Sequence, residues 1–169
     1  MIDRKTSASP AAEIELDTYV PALLTWISNK LSGGASTLYL KHFGVGIEVW
    51  RCLVLLAKGA PISAQYISQT IGLDKASVSR CFKKMHADKL IAFSDDAYDK
   101  RVRLATITRK GRDLHDQIIG LALVREEALL STLSERETDT LIKILHKLHS
   151  NLPAVEAASE AYLGETKDN

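Results

Sequence analysis

The sequence predicts a mainly α-helical fold that carries one small β-hairpin, and three observations predict it. Two short helices with separate N-terminal caps meet at Gly72-Leu73-Asp74. A run rich in β-branched residues, 101–107, returns after a polar turn at 95–100. Leucines recur at helical spacing toward both ends of the chain. A hairpin placed directly after the second of two such helices makes a winged helix-turn-helix, here flanked by N- and C-terminal helices.

Residues 1–13 are small and polar, without apolar periodicity, and read as a flexible arm. From Leu16 the apolar positions Val20, Leu23, Leu24, Ile27 and Leu31 trace a first helix, which Gly33-Gly34 is expected to stop. A connector at 36–46 follows, and then a second, buried helix from Ile47 to Lys58, closed by Gly59 and Pro61. Ser63 caps a third helix that ends at Gly72, with Ile62 and Ile67 as its staple pair; Asp74 caps a fourth over 75–89, with Leu73 and Val78 in the same roles. Strands follow at 90–94 and 101–107. Thr108 caps a long amphipathic helix reaching about Leu130. Ser134-Glu135-Arg136-Glu137 is a capping box that opens a last helix, whose Leu141, Leu145, Leu148 and Leu152 form an apolar seam in need of a partner. The chain is thus one interleaved domain: flanking helices at 14–35 and 113–169 around a DNA-binding region at 46–112.

That last assignment rests on charge. The whole chain has a net charge of +1, but residues 74–113 carry 11 Lys/Arg against 6 Asp/Glu, and residues 114–169 carry 5 against 10. In the fourth helix a 100° step puts Val78, Cys81, Phe82 and Met85 on the core side. The opposite side holds Ala76, Ser79, Arg80, Lys83 and Ala87, flanked by Lys75, Ser77 and Lys84. A solvated face normally mixes both signs; a face of small residues and cations without acids suits close approach to a major groove. Lys100, Arg101 and Arg103 on the hairpin would lie near phosphates or the minor groove.

On these residues the chain resembles the MarR family of bacterial winged-helix regulators across roughly residues 14–152. The segment 67–90, with Leu73-Asp74 and Val78-Ser79-Arg80, is similar to the family's helix-turn-helix. Asp99-Lys100-Arg101 matches its Asp-x-Arg wing motif, Ile107-Thr108-Arg109-Lys110-Gly111 its Leu-Thr-x-x-Gly, and Leu133-Ser134-Glu135-Arg136-Glu137 its final helix start. The resemblance implies a homodimer whose N- and C-terminal helices, 14–35 and 113–169, form the dimerisation region, on a palindromic double-stranded operator, repressing transcription until a small effector, often phenolic or an aromatic carboxylate, releases it. It also implies that Asp99 orients Arg101 into the minor groove. Arg80 would then fork onto a guanine edge, Ser77 and Ser79 would meet bases or phosphates, and Ala76 a thymine methyl, while Lys75, Lys83 and Lys84 position the backbone. Effector residues by the same resemblance are Trp26, Tyr39, His42, Phe43, Trp50 and Arg51, the last because a guanidinium within an apolar helix needs an anion, either a ligand carboxylate or an internal acid.

Other functions find less support. There is no phosphate loop, nucleophile elbow or spaced acid and base, so the chain is not read as an enzyme, and no cofactor is expected. His146 and His149, even with His115, do not define a metal site. Cys52 and Cys81 lie in apolar helical patterns and read as small buried hydrophobes; a thiol-based redox sensor is the alternative for Cys81, which lies on the fourth helix. A winged helix used only for protein contact would lack the cationic face. No apolar run approaches the roughly 18 residues of a membrane span, so a cytoplasmic location without a membrane partner is expected.

Overall fold

The structure, a computed structural model, describes residues 13–165, so all but the last residue of the expected N-terminal arm lies outside the described residues. The elements are α1 (Val20–Phe43), α2 (Ile47–Leu56), β1 (Ile62–Ser63), α3 (Ala64–Ile71), α4 (Lys75–Ala87), β2 (Ile91–Asp95), β3 (Arg103–Ile107), α5 (Arg109–Leu130), α6 (Glu135–Ser150) and α7 (Leu152–Glu165). Contacts divide them into a unit through Ile118 and a unit from Ile119.

The first unit is built around Val49, Cys52, Leu53 and Leu56 of α2, Ile67 of α3, Val78, Phe82 and Met85 of α4, and Leu90, Ile91, Ala105 and Ile118, all buried. α1 departs from expectation. It runs straight through Gly33-Gly34 to Phe43, and the supposed connector residues Tyr39, His42 and Phe43 are helical. A glycine ends a helix where it turns left-handed, and here that residue is Gly44, with φ 71° and its N–H bonded to the Leu40 carbonyl. Two interior glycines cost about 1 kcal/mol each. Burial of Ala35 and Tyr39 on the same helix, which packs on α2, offsets that cost.

The helix-turn-helix forms as the caps dictate. Ser63 Oγ accepts from the Tyr66 N–H at 3.1 Å, α3 ends in the left-handed Gly72 (φ 67°), and Asp74 Oδ1 accepts from the Ser77 N–H at 2.9 Å. Ser68 Oγ donates to the Leu73 carbonyl at 2.6 Å and closes the turn. α4 ends at Ala87, two residues early, because Lys89 takes φ 60° and lets the Leu90 N–H reach back to the Met85 carbonyl.

The hairpin pairs Ile91 with Ile107 through Asp95 with Arg103, antiparallel. Its strands are shifted from the expected bounds by a residue or two, since the turn extends to Val102. A third strand was not foreseen: β1 pairs with β3, giving the order β1-β3-β2. Two residues carry no periodicity, and their pairing is non-local. At the base of the hairpin Thr108 Oγ1 accepts from the Gly111 N–H at 3.1 Å and donates to the Lys89 carbonyl at 2.7 Å.

In the second unit the capping box is present: the Ser134 N–H donates to Glu137 Oε2 at 2.8 Å and the Glu137 N–H to Ser134 Oγ at 3.4 Å. The leucine seam does not stay on one helix through Leu152. α6 stops at Ser150 and α7 begins at Leu152, because Pro153 has no N–H to offer the His149 carbonyl. Ile142, Leu145, Leu148, Leu152 and Val155 are exposed in the single chain. No helix among the described residues is long and apolar enough to cross a membrane.

Candidate nucleic-acid interface

Residues on α4 divide as the helical step requires. Val78, Phe82 and Met85 are buried, whereas Lys75, Ala76, Ser79, Arg80, Lys83 and Lys84 are exposed and Ser77 is half-buried. The exposed side chains are not all loose. Arg80 Nη2 donates to Ser77 Oγ at 2.8 Å, and Lys84 Nζ pairs with Asp88 at 2.9 Å. Ser77 in turn holds the Asp74 carboxyl below its usual range, through its side chain first and its backbone N–H second.

The wing tip is organised by two carboxylates. Asp99 Oδ1 accepts from the Arg101 N–H at 3.0 Å and from Arg101 Nε at 3.1 Å, and Asp99 Oδ2 accepts from Nη2 at 3.4 Å. The Arg101 side chain, followed by its backbone N–H, keeps the Asp99 carboxyl below the usual carboxylate range. Arg101 itself is 91% exposed, so its guanidinium is oriented while remaining in solvent. Asp96, which the sequence reading passed over, accepts from the N–H groups of Tyr98 and Asp99 at 2.8 and 2.9 Å and so fixes the residue that fixes Arg101. An aspartate opening a short polar turn is the signal that could have found it. Lys100 is exposed at the same tip. Arg103 has a partner within the chain: its guanidinium lies 4.4 Å from the centre of the Phe93 ring, against the hairpin.

The residues expected to hold an effector are brought together only in part. Tyr39 lies 6.3 Å from Phe43 and 5.9 Å from Trp50 between ring centres, and His42 6.4 Å from Phe43. Trp50 stacks on His115 at 5.4 Å. Trp26 stands apart, since thirteen residues of continuous α1 separate it from Tyr39 by roughly 20 Å of helix. Among the described residues no acid pairs with Arg51, whose Nη2 instead donates to the Ser32 hydroxyl of α1 at 2.8 Å.

Of the two cysteines expected to be buried, one differs. Cys52 is fully buried, but Cys81 is only half-buried, and their sulfurs approach to 3.8 Å.

Comparison with known proteins places this geometry. Residues 43–102, which span α2 to the wing tip, match the model of the MarR family. A MarR/EmrR family transcriptional regulator from Acinetobacter sp. ADP1 is 35% identical, with a TM-score of 0.77 over 83% of this chain and 99% of that one. The MepR protein of S. aureus, solved in complex with DNA, is 25% identical with a TM-score of 0.67, over 79% of this chain and 98% of that one. BpsR of Bordetella bronchiseptica, whose DNA binding is regulated by 6-hydroxynicotinic acid, is 20% identical with a TM-score of 0.71, over 82% and 98%. With a 35% identical relative spanned almost end to end and the capped helix-turn-helix and wing in place, this chain belongs to the MarR family, and it is a DNA-binding transcriptional regulator rather than an enzyme.

Proposed function

We propose that the protein is a cytoplasmic homodimeric repressor that reads a palindromic operator and is released by a small effector. The observation that carries the DNA reading is the Asp99–Arg101 pair: a carboxylate orients a guanidinium that is still 91% exposed, at the tip of a hairpin beside a cationic helix. Such a group suits the negative potential of a narrow minor groove. Arg80 leaves Ser77 for a guanine edge, Ser77, Ser79 and Ala76 line the base edges, and Lys75, Lys83, Lys84 and Lys100 meet phosphates. Arg103, held on Phe93, contributes charge near the backbone and stiffens the hairpin.

Self-association is supported by exposed apolar side chains that a soluble chain would otherwise leave in water: Val20, Leu24 and Ile27 on α1, and Leu145, Leu148 and Leu152 near the C-terminal end. The effector reading is supported by the aromatic group Tyr39, Phe43 and Trp50, and by Arg51, which donates to a neutral hydroxyl and not to an acid among the described residues. A planar aromatic carboxylate fits that chemistry, and 6-hydroxynicotinic acid, which regulates DNA binding by BpsR, is a molecule of this class.

The test is binding of the purified protein to its own upstream intergenic duplex and to a scrambled duplex across a salt series. We expect a steep salt slope and a specificity ratio of at least about 10³. Arg101→Ala should weaken specific binding by roughly 10- to 100-fold while the protein stays folded. Equal, weak binding to both duplexes would overturn operator reading, and unchanged affinity in a folded Arg101→Ala protein would overturn the wing assignment.

A further inference from the structure

Two thiols that are 29 residues apart in sequence meet where α2 packs on the DNA-facing helix. Cys52 Sγ of α2 and Cys81 Sγ of α4 lie 3.8 Å apart, both unbridged. They are not equivalent. Cys52 is fully buried, whereas Cys81 forms part of the wall of a cleft of about 390 Å³ shared with Glu48, Ser77, Arg80 and Lys84. A small solute can therefore reach Cys81 and not Cys52. From this geometry we propose that Cys81 and Cys52 form a hydroperoxide-responsive dithiol, whose disulfide ties the DNA-facing helix to α2 and weakens operator binding. The chemistry stands on the sulfur geometry alone; its effect on DNA rests on the reading of α4 given above.

The electrostatics assign the roles. The hydrogen bond with Cys52 lowers the Cys81 thiol below its usual range and Lys84 adds to this, against burial and Glu48. The same hydrogen bond pushes Cys52 up, with burial next, so Cys52 remains the protonated donor. The Cys81 thiolate attacks one oxygen of the hydroperoxide. An S–O bond forms, the O–O bond breaks, and the leaving oxygen takes a proton and departs as an alcohol, or as water from hydrogen peroxide. Cys52 sulfur then attacks the Cys81 sulfenic acid. The S–S bond forms, the S–O bond breaks, and hydroxide leaves as water with the Cys52 proton. Two thiols are oxidised to one disulfide, and one hydroperoxide is reduced.

Closing the gap to the roughly 2 Å of a disulfide requires one of two packed helices to shift or a thiol to change rotamer. Arg80 immediately precedes Cys81 in the chain, and Ser77 and Lys84 are one turn away. Reorienting this segment moves the cationic face that reads the duplex. Met85 Sδ lies 3.7 Å from Cys81 Sγ but is fully buried, so it is the competing sulfur that the oxidant meets only behind Cys81.

The experiment adds equimolar hydrogen peroxide to the reduced full-length protein, blocks remaining thiols, and measures intact mass, linked peptides and duplex affinity. The expected result is loss of two hydrogens, a Cys52–Cys81 linked peptide within one chain, and duplex binding weaker by at least about tenfold that dithiothreitol restores. Cys52→Ser should accumulate a sulfenic acid at Cys81 that takes up one dimedone, and Cys81→Ser should leave Cys52 unmodified. The wild-type mass measurement decides the disulfide even if a variant fails to fold. A disulfide between chains, oxygen on Met85 with both thiols intact, or a complete Cys52–Cys81 disulfide with unchanged duplex affinity would overturn the proposal. If the reduced protein bound no duplex at all, the reading of α4 would fail and the switch with it, while the mass would still decide the disulfide.

Discussion

Asp74 and Asp99 each accept hydrogen bonds from residues just downstream, yet they support two regions of different kinds. Asp74 caps a helix that Val78, Phe82 and Met85 already fix to the core. Asp99 holds an exposed turn, where Tyr98 is 99% exposed and Asp96 is the other side-chain acceptor. Packing sets where the helix cations point; a few local carboxylate contacts set where Arg101 points. The first region should therefore lose stability before it loses aim, and the second should lose aim without losing stability.

The joint between the two regions should show the largest effect. Gly111 is buried in the first turn of α5, where a methyl group would collide with the Leu90 carbonyl oxygen and come within 2.9 Å of Ile107 Cγ1. The carbonyl cannot give way easily, because it accepts the Thr108 N–H at 3.0 Å. Gly111→Ala should cost about 1–3 kcal/mol in denaturant unfolding and weaken duplex binding along with it, because helix and wing lose their common base. A variant as stable as the parent would mean the two regions are less firmly joined than the contacts indicate.

Asp99→Ala separates the regions. We expect roughly tenfold weaker duplex binding, with a Tm within about 1 °C of the parent, since the pair is exposed. The pH dependence has a definite sign. Arg101 depresses the Asp99 carboxyl, so the orienting contact is fully present above the ordinary carboxylate value of 3.8 and is lost as pH falls through the depressed one. The affinity ratio of parent to Asp99→Ala should thus stay constant from about pH 8 to about pH 5. A ratio that changed within that range would show that a different group orients Arg101.

Asp74→Ala is the complementary test on the helix. Loss of the cap should lower Tm by a few degrees and leave duplex affinity within about threefold, because three core side chains still position α4. If affinity fell more than stability, the helix would owe its aim to the cap, and the contrast with the wing would disappear.

These regions were legible in the sequence to different degrees for the same reason. Caps, staples and the Asp-x-Arg turn act over three or four residues, so Ser63, Asp74, Thr108 and Ser134 could be placed from spacing alone, and each accepts the hydrogen bond its position implies. What depends on distant partners could not be read. The two-residue β1 exists only because β3 lies beside it, Arg103 is drawn to Phe93 across the hairpin, and the approach of Cys52 to Cys81 is a consequence of helix packing. The break before Pro153 was readable and was missed, because the leucine spacing continues through it.

Gly33 is the smallest and most direct case. Its spacing next to Gly34 reads as a stop, but in the structure it is an interior residue of α1, and a methyl group built on it meets nothing within 4 Å. The helix continues there because Ala35 and Tyr39 are buried further along, so the glycine contributes only its excess freedom in the unfolded chain. Gly33→Ala should therefore stabilise the protein by about 0.5–1 kcal/mol, raising Tm by a few degrees, the opposite of the same substitution at Gly111. A fall in Tm would mean that a second surface packs tightly on this stretch of α1 in solution, because within one chain there is room for the added methyl.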